Sequence, residues 1–210
     1  MKERGMIFNG EMVRAILEGR KTQTRRLVGS STSDLLDLQK QYPHKKYNIV
    51  CPFGQPGDRL WVRETFQGPL VSEELFEEYR AYPEKFETPQ YCEYAADGGA
   101  KPEYCDLDDN LRHGWRPSIH MPRWASRITL EITGVRVERL NDISQEDAHA
   151  EGMELTGWRP TYSDPDSGGE VWTPYDNFAQ LWESIYGEGS WKENPWVWVI
   201  EFKVASPGRE

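Results

Sequence analysis

The sequence has few cysteines and no long hydrophobic run. Its three cysteines, Cys51, Cys92 and Cys105, form no CxxC pair, so neither a disulfide framework nor a zinc module is indicated. Scattered Cys and His are more often buried or solvated than metal ligands, so we expect no metal and no cofactor, although a site with His113 stays open. No apolar stretch approaches the roughly 20 residues that cross a bilayer, and the first residues lack the apolar core of a signal peptide. We therefore expect a cytoplasmic protein with no membrane partner.

Hydrophobic residues are also scarce, at 37% of the 210 residues. Aromatic residues nevertheless make up 12%, and nine of them are Trp, a content that a disordered chain would lack. A chain of this length can bury one sizeable core. We expect a single domain over residues 1–210, with a small aromatic core and long polar loops.

The net charge of −10 argues against general adhesion to nucleic acid, because such adhesion needs clustered Lys and Arg. The charge is uneven, however. Residues 1–28 hold seven basic and three acidic side chains, which gives +4 and leaves −14 for the remainder. This distribution favours a small anionic ligand or a short strand over long duplex DNA.

Periodicity and turn residues predict an α+β fold. Predicted strands cover residues 5–8, 22–27, 59–64, 91–95, 128–137 and 196–204. Predicted helices cover residues 10–18, 34–41, 72–82, 145–151 and 175–186. Gly19 stands where a left-handed helix cap is wanted, and Gly134 indicates a bulge or bend in the longest strand. Ser144 and Asp147 resemble a capping box with Asp in place of Glu. Several strands with few, short helices favour a small mixed or antiparallel β-barrel.

The segment from Gly19 to Arg26 resembles a known family. Gly19-x-Lys21-x-x-x-x-Arg26 matches the GxKxxxxR motif of the ASCH superfamily, whose members are relatives of the RNA-binding PUA domains. The helix end at Glu151 and the strand 199–203 look like the small bacterial N(4)-acetylcytidine amidohydrolases of this superfamily. The resemblance implies a PUA-like barrel.

Those enzymes are about half this length, so the resemblance implies insertions near residues 29–56, 67–118 and 155–174. The longer form, with the segments 118–124 and 194–198, is similar to ASCH proteins of tailed phages and prophages. The cytoplasm would then be that of the bacterial host.

The same resemblance implies a catalytic set of Lys21, Thr24 and Glu151. The Thr hydroxyl would be the nucleophile, the Lys its base or an oxyanion stabiliser, and the carboxylate a proton relay. Each residue also has an ordinary alternative: a strand Thr, a Lys that contacts phosphate or solvent, and an exposed Glu at a helix end. On a regular strand, residues three apart point to opposite faces. Lys21 and Thr24 can therefore converge only if the chain bends after Gly19.

Further residues are candidates for substrate binding beside Gly19. Arg26 completes the motif and could pair with a phosphate or a base edge, or with an acidic neighbour. Arg63 and Glu64 end a predicted barrel strand and could read a cytosine-like edge, or form a solvated pair. His120 and Trp124 lie in a Pro-bounded segment that could line the pocket, with Trp124 as a stacking platform or as part of the core.

These residues support two main functions. The first is hydrolysis of an amide on a modified nucleoside, and the second is a binding module for RNA or a modified base. A ribonuclease is a further alternative, without a clear His pair to support it, and a structural phage role is another. The expected partner is a nucleoside or a short RNA, and the insertions offer surfaces for a protein partner.

Overall fold

The computed structural model describes residues 1–106, 110–154, 156–159 and 170–205. The strands in this part of the chain are β1 (Glu3–Ile7), β2 (Gln23–Leu27), β3 (Arg59–Arg63), β4 (Phe66–Gln67), β5 (Glu93–Tyr94), β6 (Glu103–Cys105), β7 (Leu111–His113), β8 (Thr129–Arg139), β9 (Thr156–Arg159), β10 (Glu170–Trp172) and β11 (Trp196–Val204). The α-helices are α1 (Gly10–Leu17), α2 (Ser30–Gln41), α3 (Phe76–Ala81), α4 (Gln145–Ala150) and α5 (Pro174–Tyr186). Short 3₁₀ turns connect several of them. None of these helices is both long and apolar enough to cross a membrane.

The chain divides into two compact units. Unit 1 consists of the described residues within 1–17, within 57–131 and from Val204 onward, and unit 2 of those within 18–56 and 132–203. Strand β8 passes from one unit to the other near Ile132. The prediction of one domain with three insertions stays a prediction.

Unit 1 is built on the parallel pair β1–β3, with β3 antiparallel to the first residues of β8. Strands β4 and β5 form one short antiparallel pair, and β6 and β7 another. Its aromatic core contains Phe66, Tyr94, Met121 and Ala125. The Tyr94 hydroxyl donates a hydrogen bond of 2.8 Å to the carbonyl oxygen of Ala125, so the polar end of this buried ring is satisfied.

Gly5 of β1 illustrates how tightly this pair of strands packs. A Cβ at this position would lie 2.7 Å from a ring carbon of Trp61, its register partner on β3, and 2.9 Å from Cδ of Arg63. We expect Gly5→Ala to lower the free energy of unfolding by about 1–3 kcal/mol, because the ring has to move. Gly99→Ala is the matched control, since its Cβ would meet no atom within 4 Å. Urea unfolding measures both, and equal effects would contradict this account of Gly5.

Unit 2 is built on the antiparallel pair β2–β11, with β8 as the second neighbour of β11. Helices α4 and α5 bury an apolar cluster against β11; its members are Leu140, Ile143, Ala148, Phe178, Trp182, Val197 and Val199. Helix α5 begins with a capping box, in which Thr173 and Asp176 satisfy each other's backbone N–H groups. Helix α4 begins at the predicted cap, because the Ser144 hydroxyl accepts a hydrogen bond from the N–H of Asp147.

Most predicted elements are confirmed, and three are corrected. The predicted helix 72–82 is a 3₁₀ turn followed by the short helix α3, and the predicted strand 91–95 shrinks to β5. The segment 155–174 is not simply a loop, because it contains the antiparallel strands β9 and β10; residues 155 and 160–169 lie outside the described part. β8 is one long strand through Gly134, as predicted, and the bulge or bend at this glycine stays a prediction. A Cβ at Gly134 would lie 2.5 Å from a carboxylate oxygen of Glu201. The absence of a side chain at Gly134 therefore leaves room for the side chain of Glu201.

The predicted barrel is not confirmed. The larger sheet has the strand order β1-β3-β8-β11-β2 and is mostly antiparallel. Within the described residues this order ends at β1 and at β2, so the sheet is open. The α+β class is confirmed.

Candidate functional site

The motif segment begins with a turn at Gly19. Its φ of +74° lies in the left-handed region that favours glycine, as the sequence predicts. After this turn, Lys21 and Glu151 form an isolated antiparallel β-bridge, and the N–H of Thr22 donates to the carbonyl oxygen of Ala150 at 2.8 Å. The backbone thus joins the start of the motif to the end of α4.

The side chains of Lys21 and Glu151 complete this junction. Lys21 Nζ lies 2.5 Å from Glu151 Oε2 and 2.9 Å from the Glu151 carbonyl oxygen. The exposed fraction is 0% for the Lys21 side chain and 2% for that of Glu151. A buried pair of this kind is costly to desolvate and tolerates the loss of neither partner. The structure therefore brings together two of the three predicted catalytic residues.

Arg25 binds the other side of the same carboxylate. Its Nη1 lies 3.1 Å from Glu151 Oε1, and its Nη2 lies 2.5 Å from Glu138 Oε1 and 3.0 Å from Asp147 Oδ2. Gln23 donates from Nε2 to Asp147 Oδ1 at 2.9 Å. Gln23 and Arg25 are two apart on β2, and they share one face of the strand.

Arg136 extends this arrangement along β8. It pairs with Glu138 and Asp147 at 3.1 and 2.7 Å, and also with Glu201. We call the whole group the ionic cluster; its charged members are Lys21, Arg25, Arg136, Glu138, Asp147, Glu151 and Glu201. Three cations and four anions stand in contact, so charge is nearly balanced within the group.

Burial and ion pairing shift the pKa values of Lys21 and Asp147 in opposite directions. Burial lowers the pKa of Lys21, while Glu151 raises it and the guanidinium groups of Arg26 and Arg25 lower it further. For Asp147, burial acts to raise the pKa, yet the hydrogen bond from Gln23 and the charges of Arg136 and Arg25 hold it below its usual range. The ammonium of Lys21 therefore depends on Glu151 more than on any other group of the cluster.

Thr24 lies apart from these contacts. It is buried on β2 opposite Ile200 of β11, and strand alternation places its side chain on the face opposite to Gln23 and Arg25. The required bend at Gly19 is present, but it brings Lys21 to Glu151 and not to the Thr24 face. Its role as a nucleophile stays a prediction.

Arg26 follows Arg25 on β2, so its side chain lies on the opposite face of the strand. Burial lowers the pKa of Arg26, and Tyr186, which is hydrogen-bonded to it, acts in the opposite direction together with Glu151. Tyr186 and Glu151 thus both favour the charged form of Arg26. A phosphate contact of Arg26 stays a prediction.

The other predicted binding residues belong to unit 1. Arg63 donates to the carbonyl oxygens of Ser118, at 3.1 Å, and Ile119. His120 is exposed at the end of a 3₁₀ turn, and Trp124 packs against the aromatic core. These roles stay predictions, as does that of Glu64.

Glu64 does not form a solvated pair with Arg63. It is buried, and it accepts two hydrogen bonds of 3.0 Å from Arg127. Burial raises the pKa of Glu64, against the hydrogen bond and the charge of Arg127.

Sequence reasoning missed several members of the ionic cluster. Gln23 and Arg25 follow Lys21 at spacings of two and four, the spacing of one strand face, but this spacing does not reveal that the two side chains are paired. The sequence indicates Asp147 only as part of a helix cap. Glu138 and Arg136 carry no local signal that distinguishes them from other charged residues of a long strand.

Comparisons with known proteins give structural likenesses and no sequence match. No protein-family model and no curated protein matches the sequence. One similar structure is an ASCH domain from Lactobacillus crispatus JV V101, with a TM-score of 0.40 and 11% identity over 97% of this chain and 79% of that one. An ASCH domain is thus among the structures that this chain resembles.

A second similar structure is a DUF984 protein from Enterococcus faecalis V583. Its TM-score is 0.36 and its identity 12%, over 98% of this chain and 77% of that one. Both TM-scores and both identities are low, so neither likeness assigns a chemistry to the site.

Proposed function

We propose that this chain hydrolyses an amide on a modified nucleoside of the N(4)-acetylcytidine type at the Lys21–Glu151 pair. The observation that carries the proposal is the 2.5 Å contact between Lys21 Nζ and Glu151 Oε2, which joins residues 130 positions apart. A carboxylate next to an ammonium supplies the base and the oxyanion stabiliser that amide hydrolysis needs.

The geometry favours water as the nucleophile. Glu151 takes a proton from water as the water oxygen bonds to the acetyl carbonyl carbon, and Lys21 stabilises the resulting oxyanion. When the intermediate collapses, the C–N(4) bond breaks and Glu151 returns its proton to the leaving amine. The products are acetate and cytidine. Since the Lys21 side chain is fully covered, turnover requires the side chains over the pair to move.

The test is acetate release from N(4)-acetylcytidine by the purified protein. We expect Lys21→Met and Glu151→Gln to lower the rate about 10²-fold or more, because each removes a group that acts in the transition state. Lys40→Met and Glu154→Gln make the same changes at exposed positions of unit 2 and should retain the wild-type rate. Circular dichroism verifies that each variant is folded.

Thr24→Ala distinguishes the two routes. Water attack leaves its rate nearly unchanged, whereas a Thr nucleophile makes it inactive. No acetate from the wild type, or full activity in both Lys21→Met and Glu151→Gln, would sink the proposal. Retained binding of the nucleoside without product would instead support a module that binds RNA or a modified base.

A further inference from the structure

A cleft in unit 1 carries a second set of ligand-binding groups. It consists of a mostly polar cavity of about 270 Å³ and a mostly apolar cavity of about 360 Å³, which share Pro69, Tyr104 and Cys105 in their walls. Together these volumes reach the size of pockets that hold small organic ligands. All of the lining residues belong to unit 1, and none is a member of the ionic cluster.

The polar cavity contains a buried amide. Gln67 is 2% exposed and lines this cavity. Its carboxamide can both donate and accept hydrogen bonds. A ligand in the cavity that offers one donor and one acceptor, as the edge of a nucleobase does, would pair with this amide.

The same cavity contains a cation that can meet an anion. Arg116 lines it and forms no ion pair with a carboxylate in the described part of the chain. The carboxylate of Asp106 lies in the same wall but is bound by Arg112 at 2.9 Å and by Asn110. The positive charge of Arg116 therefore remains for a ligand, and a guanidinium suits a phosphate.

Aromatic rings complete the cleft. Tyr79 and Tyr104 line the polar cavity, and Phe76 and Tyr104 line the apolar one. Aromatic side chains bind the faces of bases by stacking, with little dependence on the base. The carboxylates of Glu73 and Glu103 also line the apolar cavity and can accept hydrogen bonds from amino or hydroxyl groups.

We propose that this cleft binds a mononucleotide, with its phosphate on Arg116, its base among the tyrosines and the base edge on Gln67. The combination of a buried amide, stacking rings and a guanidinium fits a planar base joined to an anion. This site is independent of the hydrolysis proposed for unit 2.

Calorimetry with cytidine 5′-monophosphate tests the site, with cytidine and inorganic phosphate as separate probes. We expect a Kd for the nucleotide tighter than about 1 mM, the weak end of specific binding. Arg116→Gln should weaken the binding of the nucleotide about tenfold or more and leave the binding of cytidine unchanged. Gln67→Leu should weaken both. Arg123→Gln removes an exposed arginine of the same unit that does not line the cleft, so it is the matched control.

Labelling of Cys105 gives a second measurement. Its thiol is exposed and lines both cavities, so the nucleotide should slow its reaction with a maleimide in a protein that carries Cys51→Ser and Cys92→Ser. Failure of the wild type to bind the nucleotide overturns the proposal. So does equal weakening of nucleotide binding by Arg116→Gln and Arg123→Gln, or binding of phosphate as tight as that of the nucleotide.

Discussion

Replacing Glu151 by leucine is expected to lower the free energy of unfolding by about 3–5 kcal/mol. The leucine leaves the ammonium of Lys21, whose side chain is 0% exposed, without the carboxylate that balances it. It also removes one of the three carboxylates that bind Arg25. Glu154→Leu is the matched control, because Glu154 is exposed and pairs only at the surface with Arg20. Its effect should stay within about 1 kcal/mol in urea unfolding.

The double variant Lys21→Met/Glu151→Leu separates the cost of an unpaired charge from a loss of packing. Replacing both partners of a buried pair by apolar side chains is often neutral, so the double variant should recover most of the lost stability. Arg25 keeps Glu138 and Asp147 in that protein. A double variant no more stable than Glu151→Leu would mean that Lys21 does not depend on Glu151.

The pH dependence of the Glu151→Leu protein follows from the lowered pKa of Lys21. Burial already lowers this pKa and Glu151 opposes the shift, so losing Glu151 lowers it further. Between the lowered pKa and the ordinary value of 10.5, the unfolded state binds more protons, and stability rises with pH. From about pH 7 to about pH 9.5, Glu151→Leu should gain more stability than the wild type. This additional gain should be absent in the double variant, because that protein lacks the titrating Lys21.

The elements that the sequence predicted are those with strong local patterns. The apolar alternation of β8 and β11 and the caps at Gly19 and Ser144 depend on neighbours within a few residues. Residues 67–118 have no such periodicity, because short strands and 3₁₀ turns are held by contacts across unit 1. For that reason the cleft beside Gln67 could not be predicted. Local patterns also do not predict that the sheet is open, because this depends on which strands pair.

The candidate site was predictable only in part. The resemblance to the ASCH motif indicated Lys21 and Glu151 together, although 130 residues separate them. Strand alternation alone predicts that the Thr24 side chain lies on the face opposite to Lys21. The bend at Gly19 does not change this. The basic run that contains Arg25 looks like a solvated face in the sequence, whereas the Arg25 guanidinium is fully buried among three carboxylates. Only tertiary structure reveals which charges of such a run are paired.

Replacing Arg127 by methionine is expected to destabilise unit 1 by about 3 kcal/mol near pH 8. Arg127 binds both carboxylate oxygens of Glu64 at 3.0 Å and both of Asp97 at 2.8 Å, and it lies 3.9 Å from the centre of the Tyr94 ring. Without it, the buried carboxylate of Glu64 has lost its counterion. Arg123→Met, which breaks an exposed pair with Glu3, is the control and should cost at most about 1 kcal/mol.

The loss in Arg127→Met should shrink as the pH falls. Burial raises the pKa of Glu64 and Arg127 opposes that shift, so the variant raises it further. Because the pKa of Glu64 is raised, the folded state binds more protons than the unfolded state. The stabilising contribution of Glu64 is therefore present at low pH and is lost as the pH rises through its pKa in the folded state. Unfolding in urea at about pH 5 and about pH 8 measures this difference. Glu64→Gln in the Arg127→Met background should restore stability near pH 8 and remove the pH dependence, because the amide carries no charge. A loss that is the same at both pH values would show that packing of the arginine, and not the buried carboxylate, sets the effect.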